Sequence, residues 1–148
     1  MSKSRFVYVT YIRATPEKLW EALTAPEFTR AYWHGVTHET DWRPGSSWAL
    51  RFADGRKADS GRVLEAVPPR RLVLEWRHEL TPALTAEGLS RCEIEIAAEG
   101  EACKLTVTHE IGVEPSKFIE AVSGGWPIIL SSLKSLLETG KPLKATAG

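Results

Sequence analysis

Two histidines, His78 and His109, are the side chains of this sequence best suited to acid–base chemistry or metal binding. Strand alternation predicts that both point inward from a sheet and lie with Ser90 in one row across three neighbouring strands. Two interstrand spacings would place the Cα atoms of the two histidines about 10 Å apart. An imidazole titrates at about pH 6.5, so either ring could act as a general base, orient a ligand or bind a metal. A metal site, the polar rim of a ligand pocket and ordinary hydrogen-bonded histidines all remain open interpretations.

A zinc site at these histidines would need a third protein ligand. Asp59 and Glu65 are the candidates, but the strand register that decides their orientation is open. The two cysteines, Cys92 and Cys103, do not have the spacing of a zinc-binding pair. The sequence also has no glycine-rich phosphate loop and no nucleophile elbow. We therefore expect no metal site and no cofactor.

Glu65 raises a separate question, because regular alternation puts it in phase with Val63 and hence inward. An unpaired carboxylate inside the protein would be costly. It would have to pair with Arg70 or Arg71, or act as an acid with a raised pKa. A β-bulge beside the proline turn that follows would instead direct Glu65 to solvent, and this is the interpretation that we favour.

The start of the last helix contains a second candidate for function, Trp126, which follows the glycine pair Gly124-Gly125. If the glycines act as a hinge, Trp126 could be a gate over a pocket. The alternative is a packed aromatic side chain at a helix boundary. His34 and His38 follow the second predicted helix, and we expect both on a solvated turn.

Composition excludes several classes of partner. The 148 residues include 19 basic and 19 acidic side chains, which balance to a formal net charge of zero. Nucleic acids and anionic membranes require a concentrated basic surface, so we expect no nucleic-acid partner. No run of about 18 apolar residues occurs, so we expect no membrane insertion. The N-terminal residues do not resemble a secretion signal, and two cysteines form no disulfide framework; both features favour the cytoplasm.

Hydrophobic periodicity predicts an α+β protein of element order β-α-α-β6-α. The first strand is expected at 5–13, followed by a helix from Pro16 to Leu23 and a short helix from Pro26 to about Trp33. Six strand-like runs lie at about 36–42, 47–53, 60–67, 71–79, 89–98 and 102–112. A final helix is predicted as a short piece at about 116–122, a glycine break, and a main helix to about Glu138. We expect one domain over 1–148, with its core at about 5–143 and loosely ordered termini.

Hairpin-length links make the predicted seven-stranded sheet antiparallel, and its curved concave face must be covered by the last helix. A two-residue turn at Glu99-Gly100 would place Ile96 opposite Cys103. Gly61 would face inward between two indoles, leaving room for both rings. The concave face is then mostly apolar, with polar groups at one end. This pattern is typical of a ligand pocket, although a plain hydrophobic core would show the same alternation.

Several motifs, taken in order, resemble the START-like (SRPBCC) superfamily. The N-terminal motif runs from Pro16 to Phe28 as PEKLWEALTAPEF, followed by Tyr32-Trp33-His-Gly35. Later motifs are RPG at 43–45, the segment GRVLEAVPPRRLVLEW at 61–76, Gly125-Trp126, and LLETGKPL at 136–143. The resemblance covers about residues 5–143. Within the superfamily, the motifs resemble in particular the branch named for the C-terminal domain of the activator of heat-shock protein 90 ATPase homologue.

The resemblance implies a helix-grip fold in a bacterial-type stand-alone domain that binds small hydrophobic molecules. Related branches include lipid carriers, polyketide cyclases and plant hormone receptors. The chaperone-binding half of the eukaryotic activators has no counterpart in this sequence, so chaperone activation is not the expected function.

We therefore expect a binding domain for a small apolar or aromatic ligand, held between the sheet and the last helix. One alternative is a cyclase- or hydratase-type enzyme with His78 or His109 as acid or base. Another is a chaperone-associated protein-interaction domain, and a homodimer is possible. The predicted ligand-binding residues are Trp33, Trp48, Leu50, Trp76, His78, Ser90, Val107, His109, Trp126 and Leu130.

Overall fold

The computed structural model describes residues 3–143 and confirms the predicted α+β helix-grip architecture. The elements in chain order are β1 (Ser4–Ile12), α1 (Pro16–Thr24), α2 (Pro26–Tyr32), β2 (Thr37–Glu39), β3 (Ser47–Arg51), β4 (Lys57–Val67), β5 (Arg71–His78), α3 (Pro82–Thr85), β6 (Ser90–Glu99), β7 (Ala102–Ile111) and α4 (Lys117–Thr139). The short helix α3 lies within the connection between β5 and β6, where no helix was predicted. The prediction of loosely ordered termini concerns residues at both ends that lie outside the described range.

The seven strands form one antiparallel sheet in the order β1-β7-β6-β5-β4-β3-β2. Consecutive strands from β2 to β7 are neighbours, as short connections require, and β1 joins the sheet beside the last strand. The curved sheet and the long helix α4 enclose the core. Its largest fully buried side chains include Trp48, Leu74, Leu105, Leu130 and Leu133. No helix in the described range is long and apolar enough to cross a membrane.

The predicted register of the β6–β7 hairpin is wrong by two residues. Ile96 lies opposite Leu105, and Cys103 lies opposite Ala98. The turn residues are Gly100 and Glu101, since Glu99 and Ala102 still pair and Gly100 has a positive φ of 60°. A positive φ at the first central position is the role that glycine fills in such turns. A shift of two preserves which side chains face inward, so the expected inward set survives the error.

Helix α4 is continuous from Lys117 to Thr139, so the predicted break at Gly124-Gly125 is wrong, and Pro127 lies inside the helix. Its first turn is capped by Ser116 Oγ, which accepts from the Ile119 amide at 3.0 Å. The apolar face of α4 is buried along most of the helix. Burial of that face stabilises a helix far more than two glycines weaken it.

Glu65 points outward, as the bulge interpretation predicted. The β4–β5 register shifts between Val63 and Glu65. The Glu65 carboxylate lies 3.1 Å from Arg71 Nε, and the same guanidinium contacts Glu93 and Glu95 at 3.5 and 3.2 Å. Glu65 is therefore neither an interior acid nor a partner of the histidines in a metal site.

Gly61 lies opposite both Trp48 on β3 and Trp76 on β5, as predicted. The reason that this position requires glycine differs from the prediction, which was that glycine leaves room for two indole rings. A Cβ atom at position 61 would lie 1.7 Å from the carbonyl oxygen of Glu75 and 2.5 Å from its carbonyl carbon. The backbones of β4 and β5 thus approach too closely at this point for any side chain.

Candidate functional site

Four indole rings meet in the interior: Trp33 at the end of α2, Trp48 on β3, Trp76 on β5 and Trp126 on α4. We call them the tryptophan cluster. The shortest distance between ring centroids is 4.6 Å, for Trp48 and Trp76, and the longest of the four contacts is 6.4 Å, for Trp33 and Trp76. All four side chains are buried, with exposed fractions of 1–5%. Each comes from a different element, so the cluster forms only when the helices and the sheet are assembled.

His109 is held by hydrogen bonds at both ring nitrogens. Trp126 Nε1 donates to His109 Nδ1 at 3.1 Å, and because an indole N–H only donates, Nδ1 must be the acceptor. Nε2 then carries the proton of the neutral ring and donates to Ser90 Oγ at 2.9 Å. The Ser90 hydroxyl in turn donates to the carbonyl oxygen of Trp76 at 2.9 Å. Burial lowers the pKa of His109 to about 3, so the ring is neutral, fully bonded and unsuited to be a general base.

His38 repeats this arrangement at the other side of the cluster. Trp48 Nε1 donates to His38 Nδ1 at 2.9 Å, and His38 Nε2 donates to the carbonyl oxygen of Leu23 at 2.9 Å. Burial of the ring lowers the pKa of His38 to about 4, although the bond to Leu23 opposes that shift. The expectation that His38 lies on a solvated turn is therefore wrong, whereas His34 is exposed. The signal was present: His38 alternates with buried Val36 on a run interpreted as a strand.

Three buried side-chain atoms have no hydrogen-bond partner within the described range: Trp76 Nε1, His78 Nε2 and Thr29 Oγ1. Trp76 is only 4% exposed and lies between Trp48 and Trp126. A buried donor without an acceptor costs about 1–3 kcal/mol. Trp76 and His78 are successive inward residues of β5, so two of the three unpaired atoms belong to neighbouring side chains.

His78 has a partner at its other nitrogen. Its Nδ1 lies 3.3 Å from Asp59 Oδ1, and the two side chains are 18% and 13% exposed. The ring of Phe118, from the first turn of α4, packs against both His78 and His109, with centroid distances of 6.3 and 5.1 Å. Asp59 was considered only as a metal ligand from the sequence, and Phe118 was not identified.

The predicted single row of His78, Ser90 and His109 is wrong. In the sheet Ser90 pairs with Trp76, His109 pairs with Cys92, and His78 pairs with Asp59, so the three side chains are staggered by two residues from strand to strand. Ser90 and His109 nevertheless form a hydrogen bond. The two-residue shift of the β6–β7 register accounts for the offset of Ser90 from His109, whereas the offset of Ser90 from His78 belongs to the separate β5–β6 register.

The other predicted site residues, Leu50, Val107 and Leu130, are buried in the same core. Burial fits a packed core and a pocket wall equally well, so the ligand-binding role of the ten predicted residues stays a prediction. Within residues 3–143, no group of three or more His, Cys, Asp or Glu side chains could hold a metal ion.

Residues 13–138 match the family model described as "Activator of Hsp90 ATPase homolog 1-like protein". The chain belongs to this family. The match spans most of the sequence, including the strands and helices that carry the tryptophan cluster, and it confirms the predicted relationship. No curated protein matches the sequence.

Solved structures resemble this family member over nearly its whole length. ChR145 from Cytophaga hutchinsonii is 27% identical, with a TM-score of 0.74 over 95% of this chain and 98% of its own. CalU16 from Micromonospora echinospora is 25% identical, with a TM-score of 0.75 over 96% of this chain and 78% of its own. The Aha1 dimer from Colwellia psychrerythraea is 21% identical, with a TM-score of 0.72 over 93% and 98%, a likeness that shows the fold alone.

Proposed function

We propose that this protein binds a small hydrophobic or aromatic molecule with a hydrogen-bond acceptor, between the sheet and α4. The observation that carries the proposal is the unpaired, buried N–H of Trp76 inside the tryptophan cluster. Pockets for small molecules typically combine apolar and aromatic walls with a few polar groups that orient the ligand. An oxygen of the ligand would supply the acceptor that the described residues do not.

The electrostatics of the interior favour an uncharged ligand. His38 and His109 are neutral, and their nitrogens are engaged by Trp48, Trp126, Leu23 and Ser90. The rings nearest Trp76 are therefore three indoles and the neutral imidazole of His109. Such walls stack well on aromatic rings and offer no ion pair to a charged group. A ketone, an ester or a phenol is uncharged and supplies an oxygen that can accept from Trp76.

Ligand entry requires the rings of the cluster to move, because they fill the interior. The segment of α4 that carries Trp126 supports such movement. Gly124 and Gly125 have no neighbouring atom within 4 Å of an added Cβ, and Pro127 lacks the amide that would bond to the preceding turn. We infer that Trp126 and this turn shift together when a ligand enters.

The first test compares two ligands of nearly equal shape, 2-tetralone and tetralin, which differ by one carbonyl group. Both are titrated into the protein and followed by tryptophan fluorescence and by the rise in Tm that binding to the folded state produces. We expect 2-tetralone to bind at least about 10-fold more tightly, because its oxygen pairs the Trp76 donor.

The variants decide whether the preference comes from Trp76. Trp76→Phe removes the donor and is expected to abolish the preference for the ketone. Trp20→Phe changes a tryptophan of α1 outside the cluster and should leave the preference intact. Equal affinity for the two ligands, a preference that survives in Trp76→Phe, or no binding of either ligand up to its solubility would contradict the proposal.

A second candidate function, an acid–base enzyme, is favoured by one specific observation, the contact between His78 and Asp59. DynU16 is a solved structure that is 22% identical and is described as a putative protein in the dynemicin biosynthetic locus. The match covers 93% of this chain and 48% of DynU16. That description is compatible with either a binding protein or an enzyme. The two buried free cysteines fit our proposal of a cytoplasmic location.

A further inference from the structure

We infer that Asp59 and His78 form an acid–base pair that moves a proton on a carbonyl compound bound beside Trp76. This inference rests on the proposed ligand site and assigns a reaction and a substrate class to it. Its basis is that the unpaired nitrogen of His78 and the unpaired donor of Trp76 belong to adjacent inward positions of one strand.

The strand register places the three side chains at neighbouring positions of β4 and β5. Asp59 on β4 pairs directly with His78 on β5, and Gly61 pairs with Trp76. Two residues along a strand span about 6.6 Å, so Trp76 and His78 can contact different atoms of one small molecule. The absent side chain at Gly61 allows β4 to approach β5 closely beside them.

Asp59 sets the proton on the His78 ring. A carboxylate only accepts hydrogen bonds, so in the neutral ring the Nδ1 at 3.3 Å from Asp59 Oδ1 is the donor. Nε2 is then left with a lone pair, and this atom is buried without a partner among the described residues. His38 and His109 differ, because both nitrogens of each are bonded within the protein. His78 is thus the histidine beside the cluster with a basic nitrogen available.

The reaction follows from these positions. His78 Nε2 takes a proton from a carbon next to the carbonyl group, and the C–H electron pair forms a carbon–carbon double bond. The π electrons of the carbonyl move to its oxygen, which accepts a hydrogen bond from Trp76 Nε1. Asp59 stabilises the imidazolium that forms, as a carboxylate does when it orients a catalytic histidine.

The same proton then completes the cycle. In a ketone with a β,γ double bond, return of the proton to the γ carbon gives the α,β-unsaturated isomer; in a ketone with a β-hydroxyl group, delivery of the proton to that hydroxyl releases water and leaves a carbon–carbon double bond. Atoms and charge balance in both cases without a co-reactant, because the imidazolium gives back the proton that it took. The substrate class is an aromatic or alicyclic ketone with an acidic neighbouring C–H bond.

The first experiment needs no ligand. Nitrogen-15 NMR of the histidine side chains reports which nitrogen carries the proton, and we expect the Nδ1–H tautomer at His78 and the Nε2–H tautomer at His109 at neutral pH. In Asp59→Asn the population of the Nε2–H tautomer of His78 should rise. An Nε2–H tautomer of His78 in the unmodified protein would overturn the inference, whether or not any ketone binds.

The second experiment measures exchange of the acidic protons of 2-tetralone for deuterium in D2O, followed by proton NMR. Catalysed exchange is expected to fall at least about 100-fold in His78→Gln, within the usual range for loss of a general base. In Asp59→Asn the exchange rate should fall at least about 10-fold while 2-tetralone still binds. His34→Asn, at an exposed histidine whose positive φ of 49° asparagine tolerates, is the matched control and should exchange at the unmodified rate.

Binding and folding are measured in the same samples, by fluorescence and by Tm. If 2-tetralone binds but exchanges no faster than in buffer, the acid–base inference is overturned and the binding proposal stands. If 2-tetralone does not bind, the fluorescence is unchanged and the binding proposal itself is contradicted. An exchange rate that survives in a folded His78→Gln would also overturn the inference.

Discussion

At the residue scale, the interior is organised by indole N–H groups that donate to neutral imidazoles. Trp126 donates to His109 and Trp48 donates to His38, whereas Trp76 has no such partner in the described range. Both paired histidines are neutral in the folded protein, because a protonated ring would lose the acceptor that the indole needs. Of the three neighbouring indole N–H groups, two therefore form hydrogen bonds to histidines and the third, that of Trp76, is an open donor.

This arrangement predicts a loss of stability in mild acid. The pKa of His109 is about 3 in the folded protein and about 6.5 in the unfolded chain, so the unfolded chain binds the proton first as the pH falls. The stabilisation from His109 is complete above about pH 6.5 and is lost progressively toward pH 3, amounting to about 2 kcal/mol between pH 7 and pH 5. His38 should change in the same direction. Urea unfolding at the two pH values measures the difference.

His109→Gln is the control for this prediction, because glutamine keeps a polar side chain that does not titrate. The difference in unfolding free energy between pH 7 and pH 5 should shrink in the variant by the His109 contribution. An undiminished difference would mean that other groups cause the pH dependence.

The open donor of Trp76 predicts an unequal response to two similar substitutions. Trp76→Phe and Trp126→Phe each remove one buried indole and leave comparable space. Trp126→Phe also leaves His109 Nδ1 without its donor, whereas Trp76→Phe removes a group that was already unpaired. We therefore expect Trp126→Phe to reduce the free energy of unfolding by about 1–3 kcal/mol more than Trp76→Phe does. Equal losses in urea unfolding would indicate that the Trp76 donor is satisfied in the free protein.

At the element scale, alternation along the strands predicted the correct inward faces but not the pairing between strands. Ile94, Ile96 and Leu105 point inward as expected, although each lies opposite a residue two positions away from its predicted partner. Face depends on the period of the sequence, whereas register depends on which residues the turn uses. Glu99-Gly100 and Gly100-Glu101 are both plausible turns from the sequence alone, and the pairing of Glu99 with Ala102 shows that the chain uses the second.

Helix α4 illustrates the opposite error, in which a local signal was given too much weight. Glycine and proline lower helix propensity, so Gly124, Gly125 and Pro127 suggested a boundary. The buried face that continues on both sides, with Phe118 before them and Ile129 after them, holds the helix together. That face could be found from the sequence only by combining two segments that were treated as separate.

Glycine substitutions provide a direct test of where backbone contact matters. Gly61→Ala places a Cβ atom against the Glu75 carbonyl oxygen at 1.7 Å, so β4 and β5 must separate. We expect the free energy of unfolding to fall by at least about 3 kcal/mol, the upper end for overpacking. Gly124→Ala has open space and helical geometry, and should raise it by up to about 1 kcal/mol. A Gly61→Ala variant as stable as the unmodified protein in urea unfolding would contradict the contact.

At the scale of the whole molecule, the fold was largely accessible from the sequence and the site was accessible only in part. The order of elements and the family motifs required helix-grip architecture, because one amphipathic helix had to cover seven strands. The site depends instead on contacts between elements far apart in sequence, such as Asp59 with His78 and Trp126 with His109. Periodicity shows that these side chains point inward, but it carries no information on which of two histidines keeps a free nitrogen.

The tryptophan cluster also has an optical consequence. Indoles whose centroids are 4.6–6.4 Å apart share electronic excitation, so their absorption transitions combine into exciton bands that depend on the angles between the rings. The near-ultraviolet circular dichroism of the protein is then a property of the cluster as a unit. Any molecule that separates two of these rings must change the sign or intensity of those bands, even if the molecule itself is colourless.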